Sequence, residues 1–220
     1  MRSLWNLLFP EKCTFCGRLL EGREADLCES CRRIEPFSGP AKRLPYVERW
    51  TAAYYYEEPV RNGLLRYKFR GKRHEARALG QLLAMAILRA GLQDADLITY
   101  VPVSAKRRRE RGYDQDRLLA REAARALGRE ATPLLKKVRH TPAQSGLSGA
   151  AQRHANVMGA YRPLRGDLAG KRILLIDDIL TTGATASECA RVLLTAGAAG
   201  VSCACFAAHR EKKERKGQSE

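Results

Sequence analysis

The chain has 220 residues, of which 40 are lysine or arginine and 24 are aspartate or glutamate, so its formal net charge is +16. A hydrophobic content of 45% excludes a disordered chain, and 18 glycines with 9 prolines are too few for a fibrous repeat. No apolar run approaches the roughly 20 residues that a transmembrane helix needs, and the charge excess predicts an anionic partner such as nucleic acid, polyphosphate or a membrane surface.

The chain begins with a short apolar stretch at residues 4–9. This stretch is too short for the core of a secretory signal, so we expect a cytoplasmic protein. We interpret it as a short helix packed on the body of the protein. A membrane-surface anchor is the less favoured alternative.

Four of the seven cysteines form two close pairs in the pattern C-x2-C-x11-C-x2-C, namely Cys13, Cys16, Cys28 and Cys31. Each pair can place two thiolates on one tight turn, and two such turns complete a tetrahedral, closed, structural zinc site. A cytoplasmic setting disfavours the alternative of two disulfides, and no thioredoxin-like context supports a redox motif. The remaining cysteines are expected to be buried apolar residues; they are Cys189, Cys203 and Cys205.

Prolines and glycines between residues 36 and 45 predict a linker that follows a zinc-ribbon domain of residues 1–40. Residues 45–210 then alternate strands and helices. In chain order we predict strand 52–56, helices 59–67 and 75–90, strand 97–103, helix 114–127, strands 134–138 and 172–176, helix 184–196 and strand 201–208. This alternation predicts an α/β fold with a mostly parallel sheet. The charged residues 211–220 predict a disordered tail.

The segment 173–185, ILLIDDILTTGAT, combines a buried strand, two acidic residues, a short loop and a helix start. In open α/β sheets, ligands bind beyond the carboxyl ends of such strands. Asp177 and Asp178 can accept hydrogen bonds from a vicinal diol. The loop amides and hydroxyls can hold a phosphate; the loop consists of Thr181, Thr182, Gly183, Ala184 and Thr185. Together these groups predict a ribose 5-phosphate site.

Two other kinds of phosphate site are less consistent with the sequence. An acidic pair after a strand can hold a divalent metal for phosphoryl transfer, but that use leaves the threonines and the glycine unexplained. The sequence has no G-x-x-x-x-G-K-[ST] motif, which excludes a P-loop NTPase.

Residues 177–185 resemble the 5-phosphoribosyl 1-pyrophosphate (PRPP) motif of type I phosphoribosyltransferases. With the paired cysteines, the whole chain resembles the ComF family of competence-associated, phosphoribosyltransferase-like proteins. Further segments resemble that family in order: YKFRG at 67–71, VPV at 101–103, RGYDQ at 111–115, TPAQ at 141–144 and NVMGAY at 156–161. The resemblance implies a Rossmann-like type I phosphoribosyltransferase fold with an N-terminal zinc ribbon.

The resemblance also implies roles for single residues. The pyrophosphate loop would comprise Lys68, Arg70 and Gly71. The catalytic residues would be the acidic pair and three cations where the family has its mobile loop: Lys106, Arg109 and Arg111. Mg(II) would enter with PRPP. Asp114 stands where the family pattern has asparagine, and we interpret it as the N-cap of the following helix, because both residues cap helices about equally well.

The sequence is compatible with three functions. The first is a PRPP-binding protein that acts in DNA uptake or competence, with single-stranded DNA and DNA-uptake proteins as partners. The second is a nucleobase-salvage phosphoribosyltransferase. The third is a non-catalytic module that senses PRPP or a nucleotide and binds DNA. The charge left over from the pyrophosphate loops suits single-stranded DNA, and the sequence identifies no acceptor base.

Overall fold

The structure is a computed structural model that describes residues 10–69, 73–139, 150–164 and 168–210. Several predicted features lie outside these residues. They are the apolar stretch 4–9, the loop residues Arg70 and Gly71, the TPAQ segment at 141–144, and the tail 211–220.

Helices and strands alternate through most of the described chain. The helices are α1 (Glu29–Arg32), α2 (Val60–Phe69), α3 (Ala76–Arg89), α4 (Ala105–Arg111), α5 (Gln115–Ala126), α6 (Ala150–Val157) and α7 (Ala184–Thr195), with a short 3-10 turn at Arg73–Glu75. The strands are β1 (Trp50–Tyr55), β2 (Leu97–Tyr100), β3 (Leu135–Lys137), β4 (Tyr161–Pro163), β5 (Arg172–Leu180) and β6 (Gly200–Ala208).

Four strands form one parallel sheet in the order β1-β6-β5-β2, which confirms the predicted α/β fold. Strand β5 lies inside the sheet and runs to Leu180, four residues beyond the predicted end. The extension arises because β6 continues to pair with β5 as far as Ala208, opposite Leu180. As a result, both acidic residues of the PRPP-like motif belong to the carboxyl end of β5.

Four elements were not predicted as such: α1, α4, α6 and β4. Helix α4 has the sequence AKRRRER, which has no apolar periodicity from which a helix is predicted. Strand β4 pairs antiparallel with β3 in a separate two-stranded ribbon. Its three residues are too few to show an alternating pattern.

Both faces of the parallel sheet are covered, which explains why β5 is a continuous apolar run. Leu174 and Ile176 contribute to a core with α3 and α5, while Ile173 and Leu175 contribute to a second core with α7. Cys189, Cys203 and Cys205 are fully buried in that second core, as predicted. Within the described residues, no helix combines the length and the apolar character required to cross a membrane.

The segment that carries the four paired cysteines packs directly against the sheet domain. Phe15, which is fully buried, makes edge contacts with Tyr54 and Phe206 at ring distances of 5.2 and 6.1 Å. Gly63 of α2 lies so close that a Cβ atom there would be 2.5 Å from the carbonyl oxygen of Thr14. The cysteine segment and the sheet domain therefore share one hydrophobic core. The boundary at residue 40 stays a prediction.

Candidate functional site

The loop between β5 and α7 has the geometry of an anion-binding turn. Gly183 has a φ of +85°, in the left-handed region, and α7 begins at the next residue. The hydroxyl of Thr182 accepts a hydrogen bond from the Ala184 amide at 3.4 Å. A side chain at position 183 would also displace the end of the Leu44 side chain, but it is the positive φ that requires glycine. The loop thus presents amides and hydroxyls at the start of a twelve-residue helix.

The acidic pair lies beside this loop and is buried. Asp177 and Asp178 are each 7% exposed, and the Asp178 amide donates a hydrogen bond of 2.9 Å to the Asp177 carboxylate. Burial, followed by the negative charge of Asp178, raises the pKa of Asp177 to about 7. A ligand that brings hydrogen-bond donors or positive charge would therefore relieve an unfavourable arrangement.

A third carboxylate, Asp116 at the start of α5, joins the pair. One carboxylate oxygen from each of Asp116, Asp177 and Asp178 lies within 4.8 Å of the others. Asp116 is only 4% exposed. Its burial, together with Asp178 and Asp177, raises its pKa well above the usual value. We refer to these three residues as the carboxylate triad.

Lys68, in the last turn of α2, contacts the triad directly. Its Nζ atom lies 2.7 Å from Oδ2 of Asp178, and both side chains are largely buried. Although burial favours the neutral amine, the carboxylates of Asp178 and Asp116 raise the pKa of Lys68. The end of α2 is fixed to the start of α5 because the Tyr67 hydroxyl donates to the Gln115 carbonyl at 2.7 Å.

A second lysine approaches the same region from the two-stranded ribbon. Lys137 of β3 places its Nζ atom 5.1 Å from the centre of the Tyr161 ring. Burial, and then the positive charge of Arg107, lowers the pKa of Lys137 to about 8, while Asp177 and Asp116 act in the opposite direction. Lys137 is therefore an amine that can exchange a proton near neutral pH.

The remaining predicted site residues are dispersed. The exposed side chains of Lys106 and Arg109 project from α4, where Lys106 lies 4.0 Å from Glu110, and Arg111 is the last residue of this helix. This segment is a helix rather than a loop, because the Ser104 side chain caps its first turn by accepting from the Arg107 amide. The roles of these three cations stay predictions.

The capping interpretation of Asp114 is confirmed. Its Oδ1 atom accepts a hydrogen bond of 3.0 Å from the Arg117 amide at the start of α5. Aspartate therefore caps the helix at this position, where the family pattern has asparagine.

Sequence reasoning missed Asp116 and Lys137. Asp116 had a recognisable signal, because it lies three and four residues before Leu119 and Ala120, which are both fully buried in the same helix. An acidic residue on an apolar helix face is rarely buried unless it has a partner or a ligand. Lys137 had no such signal, since its environment depends on how the ribbon packs against the sheet.

The four paired cysteines converge into one cluster, as their spacing predicted. One sulfur from each lies within 4.8 Å of the others, and the Cys16 and Cys28 sulfurs are 3.7 Å apart. A tetrahedral zinc ion with bonds of about 2.3 Å requires sulfurs about 3.8 Å apart. All seven cysteines are described, and none forms a disulfide. The cluster is therefore compatible with a structural zinc ion.

Comparison with known proteins gives consistent matches. The family model named "Phosphoribosyl transferase domain" matches residues 117–219. The DNA utilization protein YhgH of Salmonella typhimurium is 32% identical, with 88% of each chain covered. Competence protein F of Haemophilus influenzae is 30% identical over 84% of this chain and 79% of its own length. Competence protein ComFC of Bacillus subtilis is 27% identical over 85% of this chain and 73% of its own length.

Among solved structures, this chain is similar to one titled as the allosteric regulatory enzyme of purine biosynthesis. The TM-score is 0.44 and the sequence identity is 23%. The match covers 64% of this chain but only 29% of that longer one.

Proposed function

Because the chain belongs to the ComF family of phosphoribosyltransferase-like proteins, we propose that it binds PRPP at the carboxyl end of β5 and single-stranded DNA on its basic surface. Its relatives are named for competence and for DNA utilization. We propose that it acts in the same area, in the uptake or use of DNA.

One observation carries the PRPP proposal: the acidic pair and the Gly183 loop lie side by side at the end of one strand. The loop suits the 5-phosphate, since amides at a helix start and threonine hydroxyls donate to phosphate oxygens. The two carboxylates suit the ribose hydroxyls, which donate to them. Lys68, which lies beside Asp178, is a cation available to the pyrophosphate.

The experiment for this proposal is a PRPP titration of the double variant Asp177→Asn, Asp178→Asn. Since hydrogen bonds to charged groups contribute about 1.5–3 kcal/mol each, we expect PRPP affinity to fall by roughly 100-fold or more. DNA affinity should be unchanged. Equal losses for both ligands would mean that they share one site, and undiminished PRPP binding would reject the assignment.

Magnesium fits the same region in chemical terms. Carboxylate oxygens are hard ligands, and Mg(II) usually keeps several waters and binds through one or two carboxylates together with substrate phosphates. We propose that Mg(II) enters with PRPP and neutralises its pyrophosphate. The residues that would face this ion are Asp177 and Asp178.

A phosphoribosyl transfer is the second candidate function at this site. In that reaction, pyrophosphate leaves the anomeric carbon with the bonding electron pair, and an acceptor nitrogen forms the new bond. Such a step depends on positioning and on neutralising the leaving group, and Lys68 and Lys137 are cations near the acidic pair. Release of pyrophosphate with any member of a nucleobase panel would support transfer. Tight PRPP binding without release would support a non-catalytic PRPP sensor.

For the cysteine cluster we propose one structural zinc ion. Three of the four cysteines are buried, and four thiolates leave no coordination position for a substrate. Elemental analysis of the purified protein should find about one zinc per chain. A substantially lower content, without bound metal of another kind, would reject the proposal.

The DNA proposal is supported by the net charge of +16 and by exposed cations on α4, including Lys106 and Arg109. A protein that neutralises several phosphates loses affinity steeply as salt rises, because it releases counterions from the DNA. We expect this steep fall for single-stranded DNA. Undetectable binding at low salt would refute the proposal.

A further inference from the structure

We propose that the carboxylate triad is a divalent-cation site of the protein itself, which takes an ion of the Mg(II) or Mn(II) class in the absence of PRPP. This goes beyond the proposed function, in which the ion arrives with PRPP and Asp116 has no role. Asp116 distinguishes the two metal sites, because it is a ligand only in the site that the free protein would hold.

The triad gathers the right atoms from two separate elements. Asp177 and Asp178 come from the end of β5, and Asp116 comes from the first turn of α5. The three oxygens lie within 4.8 Å of one another. Hard divalent cations prefer such oxygen ligands, and water completes the coordination of Mg(II).

Asp116 supplies an independent indication of a ligand. Its Oδ1 atom is fully buried and has no hydrogen-bond partner among the residues that the structure describes. A buried carboxylate oxygen without a partner is unfavourable, and native proteins rarely leave one unsatisfied. Among the residues that the structure describes, nothing satisfies this oxygen of a residue that is only 4% exposed, which points to a proton or a ligand there.

The local charge favours a cation as that ligand. When all three carboxylates are ionised, Lys68 offsets one negative charge through its contact with Asp178. Even with the ammonium of Lys137 nearby, the three carboxylates keep a net negative charge, which favours a divalent cation. Lys68 is consequently a competitor for the site, because its ammonium holds an oxygen of Asp178.

Zinc-loaded protein is titrated with Mn(II) in the absence of PRPP, and free Mn(II) is measured by electron paramagnetic resonance. Mg(II) is then added as a competitor. The wild-type chain should bind about one Mn(II), displaceable by Mg(II). In Asp116→Asn, affinity should fall by about 10–100-fold, because even indirect partners of a metal have effects of that size. Asparagine has nearly the shape of a protonated aspartate. If Asp116 carries a proton in the wild type, the fold of the variant should therefore stay intact.

Two further variants act as controls. Asp114→Asn removes a nearby charge on the same segment without removing a triad oxygen, so its Mn(II) affinity should change by less than about threefold. Lys68→Met removes the competing ammonium, so affinity should rise by about tenfold. A gain of affinity cannot result from a damaged fold.

Absence of Mn(II) binding to the wild-type chain, or equal affinity in Asp116→Asn and wild type, would overturn the inference. The same protein samples titrated with PRPP and Mg(II) separate this outcome from a failure of the proposed function. PRPP binding without metal binding by the free protein rejects the triad site alone. Metal binding without PRPP binding rejects the proposed function alone.

Discussion

The variant Gly63→Ala tests whether the close contact between α2 and the cysteine segment holds that segment in place. The new Cβ atom would lie 2.5 Å from the Thr14 carbonyl oxygen and 3.2 Å from the Phe15 Cα atom. Carbon–oxygen contacts rest near 3.3 Å, so α2 and the cysteine segment must separate by roughly 0.8 Å. Both neighbouring atoms belong to the backbone and cannot rotate away.

Two opposing effects set the magnitude. Overpacking in a tight core costs about 1–3 kcal/mol, whereas alanine is favoured over glycine inside a helix by about 1 kcal/mol. We expect a net destabilisation of about 1 kcal/mol, which lowers the Tm by about 2–4 °C in a chain of this size. Thermal unfolding measures this change, and the rate of cysteine alkylation measures whether the cysteine segment has loosened.

Gly80→Ala is the matched control. It lies in α3 and is also packed tightly, since a Cβ there would be 2.8 Å from the backbone nitrogen of Ala123 in α5. It should lower stability as well, but only Gly63→Ala should accelerate alkylation of the four paired cysteines. The reasoning is refuted if Gly63→Ala stabilises the protein, as at an open helix position, or if both variants alkylate alike.

Two further predictions concern single side chains. Asp114→Asn should change stability by less than about 0.5 kcal/mol, whereas Asp114→Ala should destabilise by about 1 kcal/mol, because only alanine removes the cap. Denaturant unfolding of both variants measures this difference. Similar losses in the two variants would contradict the capping role. Lys137 has a pKa near 8, below the 10.5 of an unfolded lysine, so between these values the unfolded chain binds more protons and Lys137 makes stability rise with pH. Stability curves of the wild type and Lys137→Met should therefore diverge across pH 8–10.5, in favour of the wild type as pH rises, and parallel curves would contradict the lowered pKa.

The features that the sequence predicted correctly are those encoded within a few consecutive residues. The apolar run of β5, the two aspartates that follow it and the glycine at position 183 are adjacent in the chain, and the cysteine spacing is equally local. Helix α4 was missed because seven mostly charged residues have no apolar face, and its cap at Ser104 became clear only from the fold.

The composition of the triad required knowledge of the tertiary structure. Asp116 and Asp177 are 61 positions apart in the sequence, and they meet because α5 packs over the end of β5. The pairing of Lys68 with Asp178 likewise depends on the placement of α2. No sequence period connects such positions, so their proximity is a product of helix–sheet packing.

Helix α2 has a consequence for how this protein can evolve. In this helix, Arg66 donates to the carbonyls of Thr14 and Phe15 at 2.7 and 3.0 Å. Two residues later, Lys68 contacts Asp178. A gene fusion that replaced the first forty residues with an unrelated module would remove the surface against which this helix is seated. The cysteine segment and the acidic end of β5 are therefore expected to be inherited together, and a lineage that loses this segment needs another surface on which α2 can pack.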